Sequence, residues 1–458
     1  MNKNIITKWK EKNGINKLYV HFDKRKNSQS LGIEKYITNP QNIIKHSFYP
    51  FIHTQIIFKK FNKLNPKRPK DKVREISYSS HIDRLIYSYY SQILNSEYNN
   101  YVIKNNINKN VIAYRTNLKK SNIHFAKEVF DIIRKYKKCF IMVGDFKSFF
   151  DNLEHNYLKK QLCKVLQVEE LPEDWYIIYK NITKYCYCEL AEILKVLNIS
   201  HRDLMEKERI FTIEEFRKYR KENKIIIKKN KELGIPQGSA ISAILANVYM
   251  IEFDSLLKEY INNLDGEYFR YSDDFIVIIP LKNNITLSEI KKNIEKIEKK
   301  IPNLKIEEEK TECYIYKENF LFSEKNNCKS QLDYLGFSFD GKKIYLRAKT
   351  ISKYYYRMYK KIKNINLSEK VSKNGNVISC NILYKNYSIK NNGKRNFLNY
   401  IMRAEKIFTD RDNKYIRNIR YTHLKKIKRR IKKIENERLI EIIQRKKEKS
   451  KLIDLFQR

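Results

Sequence analysis

"YFRYSDDFIVIIP", residues 268–280, decides the fold. Apolar and aromatic residues flank Ser272, Asp273 and Asp274 on both sides, so the stretch predicts two strands joined by a tight turn. Two adjacent carboxylates repel each other, and the flanking strands would hold them rigidly at that turn. They stand in a chain of 458 residues with 95 Lys and Arg against 52 Asp and Glu, a net charge of +43. A pair of acids on a turn is ordinarily just solvated; it becomes a site only with a partner. The candidate partner is Asp145, just beyond the apolar run "CFIMV" (139–143), which predicts a buried strand. If the two strands are neighbours, Asp145 and Asp273 converge at their tips. Hard carboxylate oxygens gathered there suit Mg²⁺, which keeps waters and takes substrate phosphates as its other ligands. Two such ions, about 3.5–4 Å apart, activate an attacking hydroxyl and stabilise a leaving oxygen. The acids would then hold metal cations, and the surrounding bases would hold polyanions.

Composition sets the wider limits. An apolar content of 42% supports a real core and two or three packed subdomains. With 34 Tyr and 23 Phe, stacking surfaces for bases are plentiful. The seven cysteines offer one close pair, Cys186 and Cys188, as C-x-C. That argues against a zinc site and for a reduced, cytoplasmic chain. The N-terminal "MNKNIITKWKEKNG" has no apolar signal core, and no run of about 18 apolar residues occurs, so neither secretion nor a membrane span is expected.

Along the chain, Ile82, Leu85, Ile86, Tyr89, Ile93 and Leu94 predict a helix over 80–103, and another is expected over 123–136. "GDFKSFFDNL" (144–153) predicts a strand-to-helix turn. Residues 157–232 predict a charged, mostly helical insertion, with Thr212 and Glu215 as a capping box. "GIPQGSAISAILANVYMIEFDSLL" (234–257) predicts a Gly/Pro turn and an apolar helix, and Thr286 with Glu289 opens a helix that stops near Pro302. This order predicts an α/β layer, a sheet backed by helices. From about residue 346 the chain turns basic and helical, with a polar break at 368–395. In its last helix Leu424, Ile427, Ile431 and Ile434 fall on one face, and Lys425, Lys426, Lys428, Arg429, Arg430, Lys432 and Lys433 on the others.

The ordered set resembles the motifs of reverse transcriptases. "YSDD" resembles their Y-x-D-D box, "GDFKSFFDNL" motif A, "GIPQGSAISAILANVYM" motif B, "LKIEEEKTECY" (304–314) motif D and "LDYLGFSF" (332–339) motif E. The resemblance implies a right-hand polymerase of α/β (α+β) class. Residues 1–140 would form an N-terminal extension and fingers, and 141–345 a palm with antiparallel sheet and the helical insertion. Residues 346–458 would form a basic α-helical thumb. It implies Asp145 and Asp273 as ligands of two Mg²⁺ ions, with Mn²⁺ as a substitute, and Asp274 as either a third ligand or a tuner of the site. Lys310 takes the place of a proton donor to pyrophosphate. "KVREISYSSHIDRLIYSYYSQILN" (72–95) resembles the fingers motifs, with Lys72 and Arg74 as clamps on the triphosphate. Phe146, Phe150, Gln237, Gly238 and Tyr271 stand at substrate-contacting positions, and Tyr334, Leu335 and Gly336 at the primer grip. In "IAYR" (112–115), Arg115 is a candidate for template or nucleotide contact. Phe150, five residues beyond Asp145, occupies the sugar-gate position. An aromatic ring there collides with a ribose 2′-OH and favours dNTPs.

On this resemblance residues 72–345 would carry fingers and palm, and no RNase H, integrase or H-N-H endonuclease is expected in the rest of the sequence. The N-A-x-x-H and V-T-G signatures of retron enzymes are absent. "YRTNLKKSNIHFAKEVF" (114–130), "LPEDWYIIYKNITKY" (171–185) and "NFLNYIMRAEKIF" (396–408) resemble the bacterial defence-associated, abortive-infection-like reverse transcriptases. That likeness implies antiphage immunity, DNA synthesis from dNTPs on a structured non-coding RNA or without a template, sometimes primed from a protein hydroxyl, and often a homo-oligomer. The alternatives from sequence are an untemplated or protein-primed nucleotidyl transferase and a catalytically silent RNA-binding scaffold. An RNA replicase is disfavoured by Phe150 and by YSDD in place of G-D-D.

Overall fold

The computed structural model describes residues 2–13, 17–60, 70–230, 233–281, 286–367, 383, 387, 397–408 and 410–456. The basic stretch at 65–72 falls partly outside these residues, and the polar break at 368–395 almost wholly so. The chain divides into two compact units: Met1–Leu118 with Met142–Glu312, and Lys119–Ile141 with Cys313–Arg458. Along the described residues the strands are β1 (Phe51–Lys60), β2 (Lys70–Tyr78), β3 (Lys138–Asp145), β4 (Cys186–Glu189), β5 (Lys228–Lys229), β6 (Glu267–Tyr271), β7 (Asp274–Pro280), β8 (Glu312–Lys317), β9 (Phe320–Ser323), β10 (Leu332–Tyr334), β11 (Phe337–Phe339) and β12 (Ile344–Leu346).

In the first unit β1 and β2 form a long antiparallel hairpin, from Ile52↔Tyr78 to Lys60↔Lys70. The sheet runs β2-β1-β4-β5. The 157–232 segment is therefore less purely helical than its charge pattern predicts. Its helices include His155–Leu166, Glu173–Thr183, Leu190–Leu197 and Ile213–Lys221. Between them β4 pairs in parallel with β1, Phe51↔Tyr187, and ties the insertion into the sheet. Strands of four and two residues are too short to show an alternation. What holds them is burial: Cys188 packs with Ile52, Val20, Phe22, Leu190, Ile193 and Phe211 in one cluster.

The helix His81–Lys104 starts where expected. Ser80 caps it by accepting from Asp83 N, and the Asp23 carboxylate accepts from His81 N and Ile82 N. Both predicted capping boxes are present, Thr212 with Glu215 and Thr286 with Glu289. The apolar run after the Gly/Pro turn forms two helices, Ser242–Tyr249 and Ile251–Asn262, that break at Met250. β6 and β7 form the predicted hairpin, and β7 lies next to β3. Gly144 makes that neighbourhood tight: a Cβ there would lie 2.3 Å from the Phe275 ring.

In the second unit the helix Asn122–Lys135 is present as predicted, β8 and β9 pair, and β10-β11-β12 form an antiparallel meander. Helices Ala348–Leu367, Phe397–Ile407 and Asp410–Phe456 follow. Ile427, Ile431 and Ile434 pack with Tyr355, Met358 and Ile362. Leu424, expected on that stripe, is 47% exposed. The inward position one residue earlier belongs to His423. Its Nδ1 pairs with Tyr355 Oη at 3.2 Å and its Nε2 with Tyr387 O at 2.8 Å. A histidine with both nitrogens engaged fills a buried position that a hydrophobic pattern assigns to leucine.

Candidate active site

Asp145 ends β3, and the chain beyond it is fixed on two sides by backbone bonds. Phe146 N donates to Asp273 O at 3.3 Å, Lys147 N to Lys305 O at 2.8 Å, and Glu307 N to Asp145 O at 2.7 Å. Asp145, the β6–β7 turn and the 305–310 segment therefore meet. Lys310 lies on a short 3₁₀ turn, Glu308–Lys310, and places its Nζ 2.5 Å from Asp145 Oδ2 and 3.8 Å from Glu307 Oε2. Burial pulls the Lys310 ammonium pKa down. The hydrogen bond and charge of Asp145, with Glu307 and Asp273, outweigh that and leave it above its ordinary value.

The turn itself has two residues between Tyr271 and Asp274, which pair. Ser272, the first of them, has φ +63°, a conformation that favours glycine. Ser272 Oγ is 3.0 Å from Tyr114 Oη, and Ser272 O accepts from Arg270 Nη1 at 2.9 Å. Arg270 is wholly buried. Its Nε and Nη2 donate to the two oxygens of Asp254 at 2.7 and 2.6 Å, and Nη1 also reaches Asn247 Oδ1 at 3.2 Å. Asp254 accepts further from Tyr268 Oη at 2.7 Å. Burial pulls the guanidinium pKa down, but Asp254 more than offsets it, so Arg270 stays charged. Neither Arg270 nor Asp254 was singled out by sequence. They are 16 positions apart and on different elements, and the only signal was a charged residue inside an apolar strand.

The structure brings together Asp145, Asp273 and Lys310. Asp274 is exposed, and among the described residues no group of three or more His, Cys, Asp or Glu side chains gathers as a metal site. A pair of carboxylates still fits Mg²⁺, which is held by one or two carboxylates plus water and substrate phosphates. Asp145 Oδ1 supports the fit: it is buried without a hydrogen-bond partner among the described residues, while Oδ2 is held by Lys310. An acceptor left in that state costs free energy unless a cation or donor meets it.

The turn before the Ser242–Tyr249 helix is built by close backbone approach. Gly234 N donates to Leu153 O and Ile235 N to Phe150 O, at 2.8 and 2.9 Å. Gly238, at φ +125°, passes the β2 strand so closely that a Cβ would lie 2.7 Å from Ser77 O, and Ser77 N donates to Gln237 O at 2.8 Å. The Gln237 amide donates to Asp151 Oδ1 at 3.3 Å. Asp151 is a carboxylate the sequence reading passed over. Its pKa is raised, mainly by burial; Gln237 lowers it and Glu75 raises it further. Phe150 is half-buried, its ring edge-on to Phe149. Lys72 and Arg74 lie exposed on β2, at the same strand parity as Ile76, whose side chain lies 3.2 Å from the Cβ position of Gly238; Arg74 also sits 5.6 Å over the Phe58 ring. Tyr271 is half-buried beside Tyr114 and Asp274, its hydroxyl pKa raised mainly by burial.

Two of the candidate contact residues lie buried. Phe146 is 2% exposed, its ring packed against Phe149, Phe253 and Phe275, so its side chain lies in the core. Arg115 is buried and spends its guanidinium on Asn99 Oδ1, Asn108 O and Oδ1, and Val111 O, so it fixes a loop. In the second unit Tyr334 is buried, and Leu335 and Gly336 form a hairpin tip with both φ positive. Asn122 Nδ2 holds that tip at Leu335 O, 2.9 Å, and also reaches Tyr400 Oη.

Residues 65–339 match the family "Reverse transcriptase (RNA-dependent DNA polymerase)". The chain belongs to that family, and its fold is a reverse transcriptase fold with antiparallel sheets and a helical C-terminal region. Among solved structures it is similar to an apo telomerase of Candida tropicalis truncated from its C-terminal domain. The identity is 13%, the TM-score 0.40, and the match covers 67% of this chain and 57% of that one. A telomerase of Candida albicans in complex with a fragment of telomeric RNA is also similar, at 13% identity and TM-score 0.38, covering 88% of this chain and 68% of that one. The chain thus spans a little over half of the first of these structures. No curated protein matches in sequence. Among the described residues no helix is long and apolar enough to cross a membrane.

Proposed function

We propose that the chain is an RNA-directed DNA polymerase that extends a primer with dNTPs. The observation that carries this is the junction of Asp145 and Asp273 beside Lys310, with Asp145 Oδ1 buried and without a hydrogen-bond partner among the described residues. When bound there, Mg²⁺, or Mn²⁺ in its place, supplies activation of the 3′-hydroxyl and charge stabilisation on the phosphates. Asp145 and Asp273 bind the metal side of the site, and the exposed Asp274 tunes it. Lys310 hands a proton to the leaving pyrophosphate. Lys72, Arg74, Gln237, Gly238 and Tyr271 line the nucleotide's approach, and Tyr334, Leu335 and Gly336 support the primer. Residues 1–140, 141–345 and 346–458 serve as fingers, palm and thumb. The basic faces of the last helix, where Lys425, Lys428, Arg429, Lys432 and Lys433 are exposed, suit an RNA backbone.

The biological setting we propose is antiphage defence. A structured non-coding RNA serves as template and a homo-oligomer as the working form, on the strength of the three segments that resemble defence-associated enzymes. Purified protein given Mg²⁺, dNTPs and its co-purified RNA is expected to make DNA complementary to that RNA, and Asp273→Asn to make none. Wild-type levels of product from the variant would overturn the reading, and a homopolymeric product would move it to an untemplated transferase. Phe150→Ala should raise ribonucleotide incorporation by roughly tenfold or more, read as the NTP/dNTP ratio of kcat/KM.

A further inference from the structure

The first unit contains a cavity of about 530 Å³ that shares no residue with the candidate active site. That volume lies in the range of small-ligand sites. The cavity is walled by two sets of near-parallel rings. Tyr87 stacks on Phe48 and Phe51, with interplanar angles of 27° and 22°, and Phe22 stacks on Tyr49 and Phe211, at 22° and 15°. Phe216 closes against Phe22, with centroids 4.9 Å apart. Tyr87 is wholly buried, and its hydroxyl has no hydrogen-bond partner among the described residues. Burial raises its pKa well above the ordinary tyrosine value, with the charge of Asp83 adding to the effect, so the phenol stays protonated.

Arg217 and Arg220 also line the cavity, three positions apart on one face of the helix Ile213–Lys221. Both are exposed, and the Glu214 carboxylate, its pKa lowered by backbone and Thr212 hydrogen bonds and then by the charges of Arg209 and Arg217, is the acid set against Arg217. Arg209 adds a third positive charge near Tyr49. An apolar ligand would use the rings and leave the arginines idle, and an acidic peptide would use the arginines and leave the rings idle. A planar base that carries a phosphate uses both: rings for stacking and guanidinium forks for phosphate oxygens.

We propose that this cavity is a second nucleotide site, binding one base with its phosphate, outside the polymerase centre. That chemistry can come from a free nucleotide or from one residue of a bound RNA strand, and the test separates them. Cys186 lines the cavity and is partly exposed, while Cys328 is exposed elsewhere and serves as the internal control. Alkylation of each is followed by mass spectrometry on the full chain. Adenosine 5′-monophosphate at ten times its Kd should slow the Cys186 reaction about tenfold by occupancy and leave Cys328 unchanged. Protection by single-stranded oligoadenylate alone would assign the site to an RNA residue. The surface variant Arg217→Gln/Arg220→Gln should lose protection while still extending a primed template. No protection of Cys186 by either probe, equal protection by adenosine lacking phosphate, or full protection in the variant would overturn the proposal.

Discussion

Arg270–Asp254 and Lys310–Asp145 are both close ion pairs of the first unit, at 2.6 and 2.5 Å, yet their surroundings differ. Arg270 and Asp254 are 0% exposed, and Asn247, Ser272 O and Tyr268 complete their hydrogen bonds. Lys310 is 50% exposed, and Asp145 keeps one oxygen without a partner among the described residues. A pair that is buried and saturated has no alternative state within reach, so it fixes the carbonyl of Ser272 and with it the strained turn that carries Asp273. A pair that is half-solvated and unsaturated can open when another cation arrives. The same two charge types thus serve as a fastener in one place and as an exchangeable contact in the other.

The largest test breaks the exchangeable side. Asp145→Asn should reduce DNA synthesis on the order of 10³–10⁴-fold, about 4–5.5 kcal/mol of barrier, with the melting temperature nearly unchanged. Asp254→Asn should do the reverse, costing about 3 kcal/mol in urea unfolding because Arg270 keeps its charge in a dry site. Equal stability losses in the two variants would erase the distinction between the pairs. Gly144→Ala comes next. Its Cβ would meet the Phe275 ring at 2.3 Å, so β3 or the ring must shift, at about 1–3 kcal/mol. That shift also displaces the end of β3, so kcat should fall while the KM for dNTP changes little.

The two sides were not equally legible in the sequence. Asp145, Asp273 and Lys310 stood out because they sit in local patterns: an apolar run ending in an acid, acids between two strands, a lysine after "EEE". Patterns of this kind need only a few consecutive residues. Arg270 and Asp254 needed knowledge of which helix backs which strand, and nothing local supplies that. Arg115 shows the converse. Its string resembled a contact element, but its guanidinium found four acceptors within 16 residues of itself and was buried with them. β4 was invisible because its pairing partner, β1, is more than a hundred positions away. His423 displaced Leu424 from the core because a fully hydrogen-bonded imidazole can be buried, which a hydrophobic stripe does not anticipate.

The smallest expected effect is also the sharpest for the comparison. Lys310→Met removes the cation that holds Asp145 Oδ2. Because that ammonium is half exposed, solvent screening limits the pair's contribution to stability to roughly 1 kcal/mol or less, measured in EDTA. Raised Mg²⁺ should change the order. In the wild type a divalent cation competes with Lys310 for the Asp145 carboxylate, whereas in the variant it meets both oxygens unopposed. The variant should therefore show its Mg²⁺-induced rise in melting temperature at a lower Mg²⁺ concentration than the wild type. A midpoint that stays in place would mean that Lys310 and the cation do not share the carboxylate. The Lys310–Asp145 pair would then be a second fastener, like Arg270–Asp254.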